Sequence, residues 1–303
     1  MARQSGIIKL KGTIGDITFY KSKDGYLARQ KGGVEKERFL NDPKFQRTRE
    51  NAAEFGRAGK ASKTLCTAIR PVLNKTQDSR MISRLVQAMM RVIKADQVSD
   101  RGLRNVLDGE LILLQGFDFN GNAPLGATVY APFTASIDRA AGVLSVDIPG
   151  FVPDSQIVAP RGTTHFRLVS AGVEVDFEQE TFALAQSASE EIPFDNTVTA
   201  DINLSNDLGI SGSDKPLFLV LGIEFLQEVN GGYYALNNGA FNALNLVVID
   251  TGVDGDDGGG APGGDPDDDG PGGGGPGGDP GDDDSGDDGG DGGDDDPDDG
   301  VGG

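Results

Sequence analysis

Near Glu110 the spacing of apolar residues changes from a helical repeat to alternation, and that switch places this chain in the α+β class. Before it, Phe45, Ala52, Phe55, Ser62, Leu65, Ile69 and Leu73 recur at steps of three, four or seven and fall on one helical stripe. Asn41-Asp42-Pro43 supplies an N-cap and a first-turn proline for this helix, and Pro71 should end or kink it. Met81, Leu85, Met89 and Val92 predict a second helix capped by Asp78 or Ser79, and a short third helix is expected over residues 100–107, stopping at Gly109. After the switch come ELILLQGFDF, GATVYAPFTASI, GVLSVDI, THFRLVS, VEVDF, TFALAQ, TVTADINLS and ALNLVVID, separated by Gly, Pro, Asn and Asp. Short strands at such spacing predict an antiparallel β-sandwich or barrel, the sandwich being favoured, with the most apolar run, Leu217–Leu226, as a central strand.

Two further segments flank these regions. In KGTIGDITFYKSKDGYLARQKGG, alternating runs surround Asp24-Gly25, a pair suited to a tight hairpin turn, and two or three strands are expected over residues 6–31. Ile17 and Phe19 then share one face and Thr18 and Tyr20 the other. A unit this small needs something to pack on. At the other end, 19 Asp, 23 Gly and 6 Pro occupy 48 of the last 53 residues, a composition that cannot bury enough surface to offset its ordering entropy. The expected organisation is a basic β-hairpin over 1–35, a helical segment over 36–108, a β-sandwich over 109–250 and a disordered Asp/Gly/Pro-rich tail over 251–303.

Charge follows the same divisions. Residues 1–105 carry +13, residues 106–250 carry −15 and residues 251–303 carry −19, for a net charge of −21. The single cysteine, Cys66, excludes an intramolecular disulfide. MARQSGIIKLKG has no apolar core of a signal peptide, and no run of 18 apolar residues follows. The expectation is a protein of the cytoplasm, or of a released particle, with no membrane association.

The N-terminal KGTIGDITFYKSKDGYLARQKGG, followed by NDPKFQRTRENAAEFGRAGKASK, resembles a family of uncharacterised Bacteroidota proteins that share a Gly-x-x-Gly, an aromatic pair and a basic helix near the start. The resemblance is strongest over residues 5–63 and extends weakly into the β region. The family has no assigned activity, so the resemblance implies no catalytic residue, and an Asp/Gly tail is not expected of every member.

No catalytic constellation is complete. His165 has no second histidine or nearby cysteine with which to form a zinc site or a triad, and reads as a half-buried strand residue with a local hydrogen bond. Cys66, beside Leu65, reads as a small buried hydrophobe. Gly56-Arg-Ala-Gly59-Lys60-Ala61 fails as a phosphate loop, because Glu54 stands where the first glycine belongs and Ala61 lacks the metal-binding hydroxyl. Gly12-Thr-Ile-Gly15 matches a nucleic-acid-clamping GXXG but joins strands rather than helices. Asp265-Pro-Asp267-Asp-Asp269-Gly270 opens like an EF-hand loop, yet Pro276 stands at the position of the bidentate Glu. No cofactor is expected beyond weak divalent-cation association with the Asp-rich tail.

Binding candidates come from the charge blocks. Lys9, Lys11, Lys21 and Arg29 surround Tyr20 and Tyr26, while Arg47, Arg57 and Lys60 lie on the polar side of the first helix. Cations neutralise phosphates and tyrosines stack on bases, so nucleic acid is one possible partner. Opposing them, Glu174, Asp176 and Glu178 alternate with Val173, Val175 and Phe177 and are expected on the outer face of a strand. The favoured expectation is a non-enzymatic structural or assembly protein whose basic N-terminal region binds an acidic face of another copy or of a protein partner. The alternative is a nucleic-acid-binding protein with an acidic autoinhibitory tail.

Overall fold

The computed structural model describes residues 2–22, 24–30 and 36–252. The tail, with its Asp-rich motifs, lies outside the described residues. The chain begins with an antiparallel sheet of β1 (Ala2–Arg3), β2 (Gly12–Ile14), β3 (Ile17–Ser22) and β4 (Gly25–Gln30), in the order β1-β4-β3-β2. One more strand is present than the sequence predicts, because Ala2 and Arg3 pair with Ala28 and Leu27. Ser22 faces Gly25 across the turn, and Gly25 takes a positive φ of +110°. The register places Ile14, Ile17, Phe19 and Ala28 on one face, and Thr18, Tyr20, Leu27 and Arg29 on the other.

Four helices follow: α1 (Lys36–Asn41), α2 (Gln46–Ala68), α3 (Arg70–Leu73) and α4 (Met81–Lys94). Asp42 caps a single 3-10 turn, Pro43–Phe45, by accepting the Lys44 N–H at 3.0 Å, and α2 starts only after it. Pro71 fits its expected role, since α2 stops at Ala68 and the chain restarts as α3. The core stripe of α2 differs from expectation in its first half. Glu54, Ala58, Ala61, Leu65 and Ala68 are buried, whereas Ala52 is exposed and Phe55 is 60% exposed. The reason lies in the following loop: Glu54 accepts the Gly102 N–H at 2.8 Å, which brings residues 100–105 over that side of the helix. The expected third helix is this loop. It is organised instead by buried Asp96, whose carboxylate takes the N–H groups of Val98, Ser99 and Asn105 at 2.8–3.0 Å.

The sandwich is built from β5 (Thr134–Asp138), β6 (Val143–Ile148), β7 (His165–Asp176), β8 (Thr181–Ala188), β9 (Ile192–Pro193), β10 (Ile202–Asp207), β11 (Leu217–Val229), β12 (Gly232–Ala235) and β13 (Ala243–Asp250). One sheet has the order β10-β6-β5. In the other, β11 lies between β7 and the pair β12 and β13, and β7 is flanked on its far side by β8 and β9. All pairings are antiparallel. THFRLVS and VEVDF merge into β7, whereas Leu111–Leu114 is a 3-10 turn and Leu125–Thr128 a single helical turn rather than parts of strands.

Both faces of the larger sheet are covered, which explains the near-continuous apolar run of β11. Phe218 and Val220, with Ala171, Val173 and Val175, meet Leu65, Leu85, Met89 and Val92 of the helices. Leu217, Leu219, Leu221, Ile223 and Phe225, with Phe166 and Leu168, meet Leu144, Val146, Ile148 and Leu204 of the smaller sheet. Gly172 permits the close approach of the two sheets, since a Cβ there would lie 3.1 Å from Leu144 and Asn206. Each fully buried side chain of this kind contributes roughly 1.5–3 kcal/mol. Because α2 and α4 complete one face of that sheet, residues 36–108 and 109–250 share a core and belong to the same compact unit, Met1–Asp254.

Candidate functional site

The N-terminal sheet differs from the two sheets after it, because none of its described side chains is buried. Ile14 and Ile17 are 63% and 46% exposed on its apolar face. The loop before β2 places Ile7 and Ile8 almost wholly in water, at 102% and 81% exposure. That loop is tied at its base: Gln4 Oε1 accepts the Leu10 N–H at 2.8 Å and its amide nitrogen donates to the Leu27 carbonyl at 3.0 Å. Lys9 donates to the Gln4 carbonyl at 2.5 Å. Lys21 lies over the Tyr26 ring at 5.6 Å and Arg29 over Tyr20 at 5.5 Å, so both tyrosines already hold a cation. Among the described residues Lys9, Lys11, Lys21 and Arg29 form no ion pair.

The helical cations expected beside them are used differently. Arg57 donates to the carbonyls of Gly102 and Arg104 and so holds the 100–105 loop. Lys60 pairs with Glu180 at 2.9 Å, with both side chains about half exposed, and Arg47 is exposed on α2. The first helix therefore does not present the unbroken basic face that the sequence suggests.

The acidic row also departs from expectation. Alternation does set Glu174 opposite Val173 and Val175, but the face it occupies is covered by the smaller sheet. Glu174 is buried, with Oε2 lacking a hydrogen-bond partner. Asp176 accepts the N–H groups of Gln179 and Glu178 and the Lys215 ammonium at 2.6 Å. Those contacts, the Gln179 N–H foremost and then Lys215, hold its carboxyl below the usual range. Glu178 alone of the three is exposed, in the turn after β7. An outward row of three carboxylates does not form, because β7 belongs to the middle layer, whose sheet is covered on one face by helices and on the other by the smaller sheet.

A cluster that the sequence reading missed joins the helices to the sheet. Buried Glu224 on β11 accepts Lys75 at 2.9 and 3.0 Å and Arg167 of β7 at 2.7 Å; Arg167 also reaches Glu191 at 3.2 Å. Lys75, Arg167 and Glu224 border a cavity of about 290 Å³ beside Pro71 and Val72. Two cations face two carboxylates, so the cluster is neutral, and it fastens the turn after α3 to the sheet. Alternation within β11 is the only sequence sign of it, since Glu224 interrupts an apolar run.

His165 is half-buried as expected, with Nδ1 3.1 Å from the Thr164 hydroxyl and its ring edge-on to Tyr233. Burial pushes the Cys66 thiol up to about 11, which leaves little thiolate at neutral pH. Among the described residues no group of three or more His, Cys, Asp or Glu side chains is placed to hold a metal ion, and no helix is long and apolar enough to cross a membrane. Compared with known proteins, the chain matches no family model, no curated protein and no solved structure.

Proposed function

We propose that this is a non-enzymatic structural or assembly protein that self-associates through its basic N-terminal region. One observation carries the reading: a four-stranded sheet that buries none of its described side chains, with the loop before β2, presents Ile7, Ile8, Ile14 and Ile17 to water amid four cations that have no carboxylate partner among the described residues. Exposed apolar groups rimmed by charge are the usual mark of a protein interface. The body supplies the opposite sign, −15 over residues 106–250. The Asp-rich C-terminal segment then limits growth of assemblies by charge repulsion. Nucleic-acid binding draws less support, since Arg57, Lys60, Tyr20 and Tyr26 already have partners within the chain. Size-exclusion chromatography with light scattering on the intact chain tests the reading at low and moderate salt. A mass above that of one chain, falling as salt rises, is expected; a monomer at every salt would refute it.

A further inference from the structure

The acceptor for the N-terminal region can be named. Between β9 and β10 the chain crosses from the larger sheet to the smaller one, and the crossing encloses a groove of about 510 Å³. Its apolar floor includes Ile192, Val198 and Ile202, and its rim carries Glu190, Asp195 and Asp201. No Lys or Arg lines it. None of the three carboxylates forms an ion pair among the described residues.

The groove is held open by its own backbone. Asp154 N–H donates to the Asp195 carbonyl at 3.0 Å, Phe194 N–H to Thr164 at 2.8 Å, and Thr199 N–H to Phe151 at 2.9 Å. Asp201 Oδ1 accepts the Gly150 N–H at 2.8 Å. A strapped segment of this kind needs no rearrangement to receive a ligand. Val198 remains 63% exposed within it.

The chain carries a described segment of matching chemistry in the loop before β2. Ile7-Ile8-Lys9-Leu10-Lys11 offers two isoleucines in water, then two ammonium groups. Apolar side chains fit the floor and the ammonium groups fit the three-carboxylate rim. We propose that this loop of one copy inserts into the Glu190–Asp201 groove of a second copy. A donor loop and an acceptor groove at different places on one surface make a head-to-tail contact, which closes into rings or grows into filaments. The inference rests on the assembly reading and narrows it to one pair of surfaces.

Sedimentation velocity on three intact chains tests it: the unaltered protein, I7E/I8E, and E190K/V198K. Neither the Glu190 nor the Val198 side chain makes a hydrogen bond among the described residues, and thermal melting checks that both variants fold. The expected result is association of the unaltered chain and a loss of at least tenfold in affinity for each variant. Association weakened by I7E/I8E but unchanged in E190K/V198K would overturn the groove and leave the assembly reading standing. A monomeric unaltered chain would overturn both. If E190K/V198K fails to fold, an excess of peptide spanning residues 4–12, added to the unaltered chain, replaces it; undiminished association would then overturn the proposal.

Discussion

Replacing Glu224 by Gln removes the charge on which the helix-to-sheet cluster depends. The carboxylate is 5% exposed and answers two cations, Lys75 at 2.9 Å and Arg167 at 2.7 Å. Breaking a fully buried pair from one side costs about 3–5 kcal/mol, because a charge is left without compensation. That figure is an upper bound here. The Lys75 side chain is 46% exposed and can turn to water, and Arg167 keeps Glu191 at 3.2 Å. Arg167 cannot escape fully, since its Nε is buried without a partner. The cost of E224Q should therefore fall near 2–3 kcal/mol, and that of K75M near 1 kcal/mol, because Arg167 still answers the carboxylate. Equilibrium urea unfolding reads both: with a slope of about 2–3 kcal/mol per molar, E224Q should lower the midpoint by roughly 1 M with the slope unchanged. The double variant should lose less than the sum of the two. An E224Q midpoint equal to that of the unaltered protein would refute the reasoning, since it would mean that the cluster contributes nothing as a charged unit.

Three other outcomes follow from local geometry. Asp96 is buried and held at a pKa of about 2; its desolvation is outweighed by the N–H groups of Ser99, Asn105 and Val98. Its folded value lies below the ordinary 3.8, so its contribution is complete above 3.8 and is lost as pH falls through about 2. D96N should cost about 1–3 kcal/mol at pH 7 and should flatten the acid limb of the stability curve; an unchanged acid limb would count against the assignment. Gly142 has φ +74° and a Cβ there would stand 1.8 Å from the Ile210 carbonyl oxygen, so G142A should lower the melting temperature by several degrees, about 2–4 °C per kcal/mol, and an unaltered melt would show that the turn relaxes freely. For Cys66, the rise from 9.0 to about 11 removes about a hundredfold of thiolate at pH 8, and the greater nucleophilicity of a more basic thiolate restores roughly tenfold of that. Native protein should then react with a disulfide reagent at least tenfold more slowly than urea-unfolded protein, and equal rates would contradict its burial.

What could be read from the residues depended on how many layers cover them. β11 was legible because both of its faces are buried, so that apolar content alone marks it. Met81, Leu85, Met89 and Val92 of α4 were legible because α2, the Leu111–Leu114 turn and the shared core cover one stripe. Phe55 misled because a loop organised by Asp96 and held by Glu54 and Arg57 covers the adjacent side of α2, and no helical period encodes that. Leu111–Leu114 reads as a strand in any apolar scan, yet its backbone closes into a 3-10 turn between α4 and the sheet. Glu174 reads as a solvent-facing acid because alternation cannot distinguish water from a second sheet. Glu224 and Lys75 stand 149 residues apart, beyond any local pattern. The basic N-terminal region was legible as a charge block. The exposure of Ile7 and Ile8, on which the proposed docking rests, required the fold.

The contact between copies has a direct test in cysteine cross-linking of mixed chains. I7C and V198C are prepared separately, mixed, and exposed to mild oxidant; any disulfide between the two sites must then join different molecules. Half-buried Cys66, with its thiol pushed up to about 11, is a weak competitor. The account predicts a covalent dimer in the mixture that is much stronger than in either variant alone and is suppressed by salt. A mixture that gives no more dimer than its components would contradict the proposal that Ile7 of one copy enters the groove beside Val198 of another.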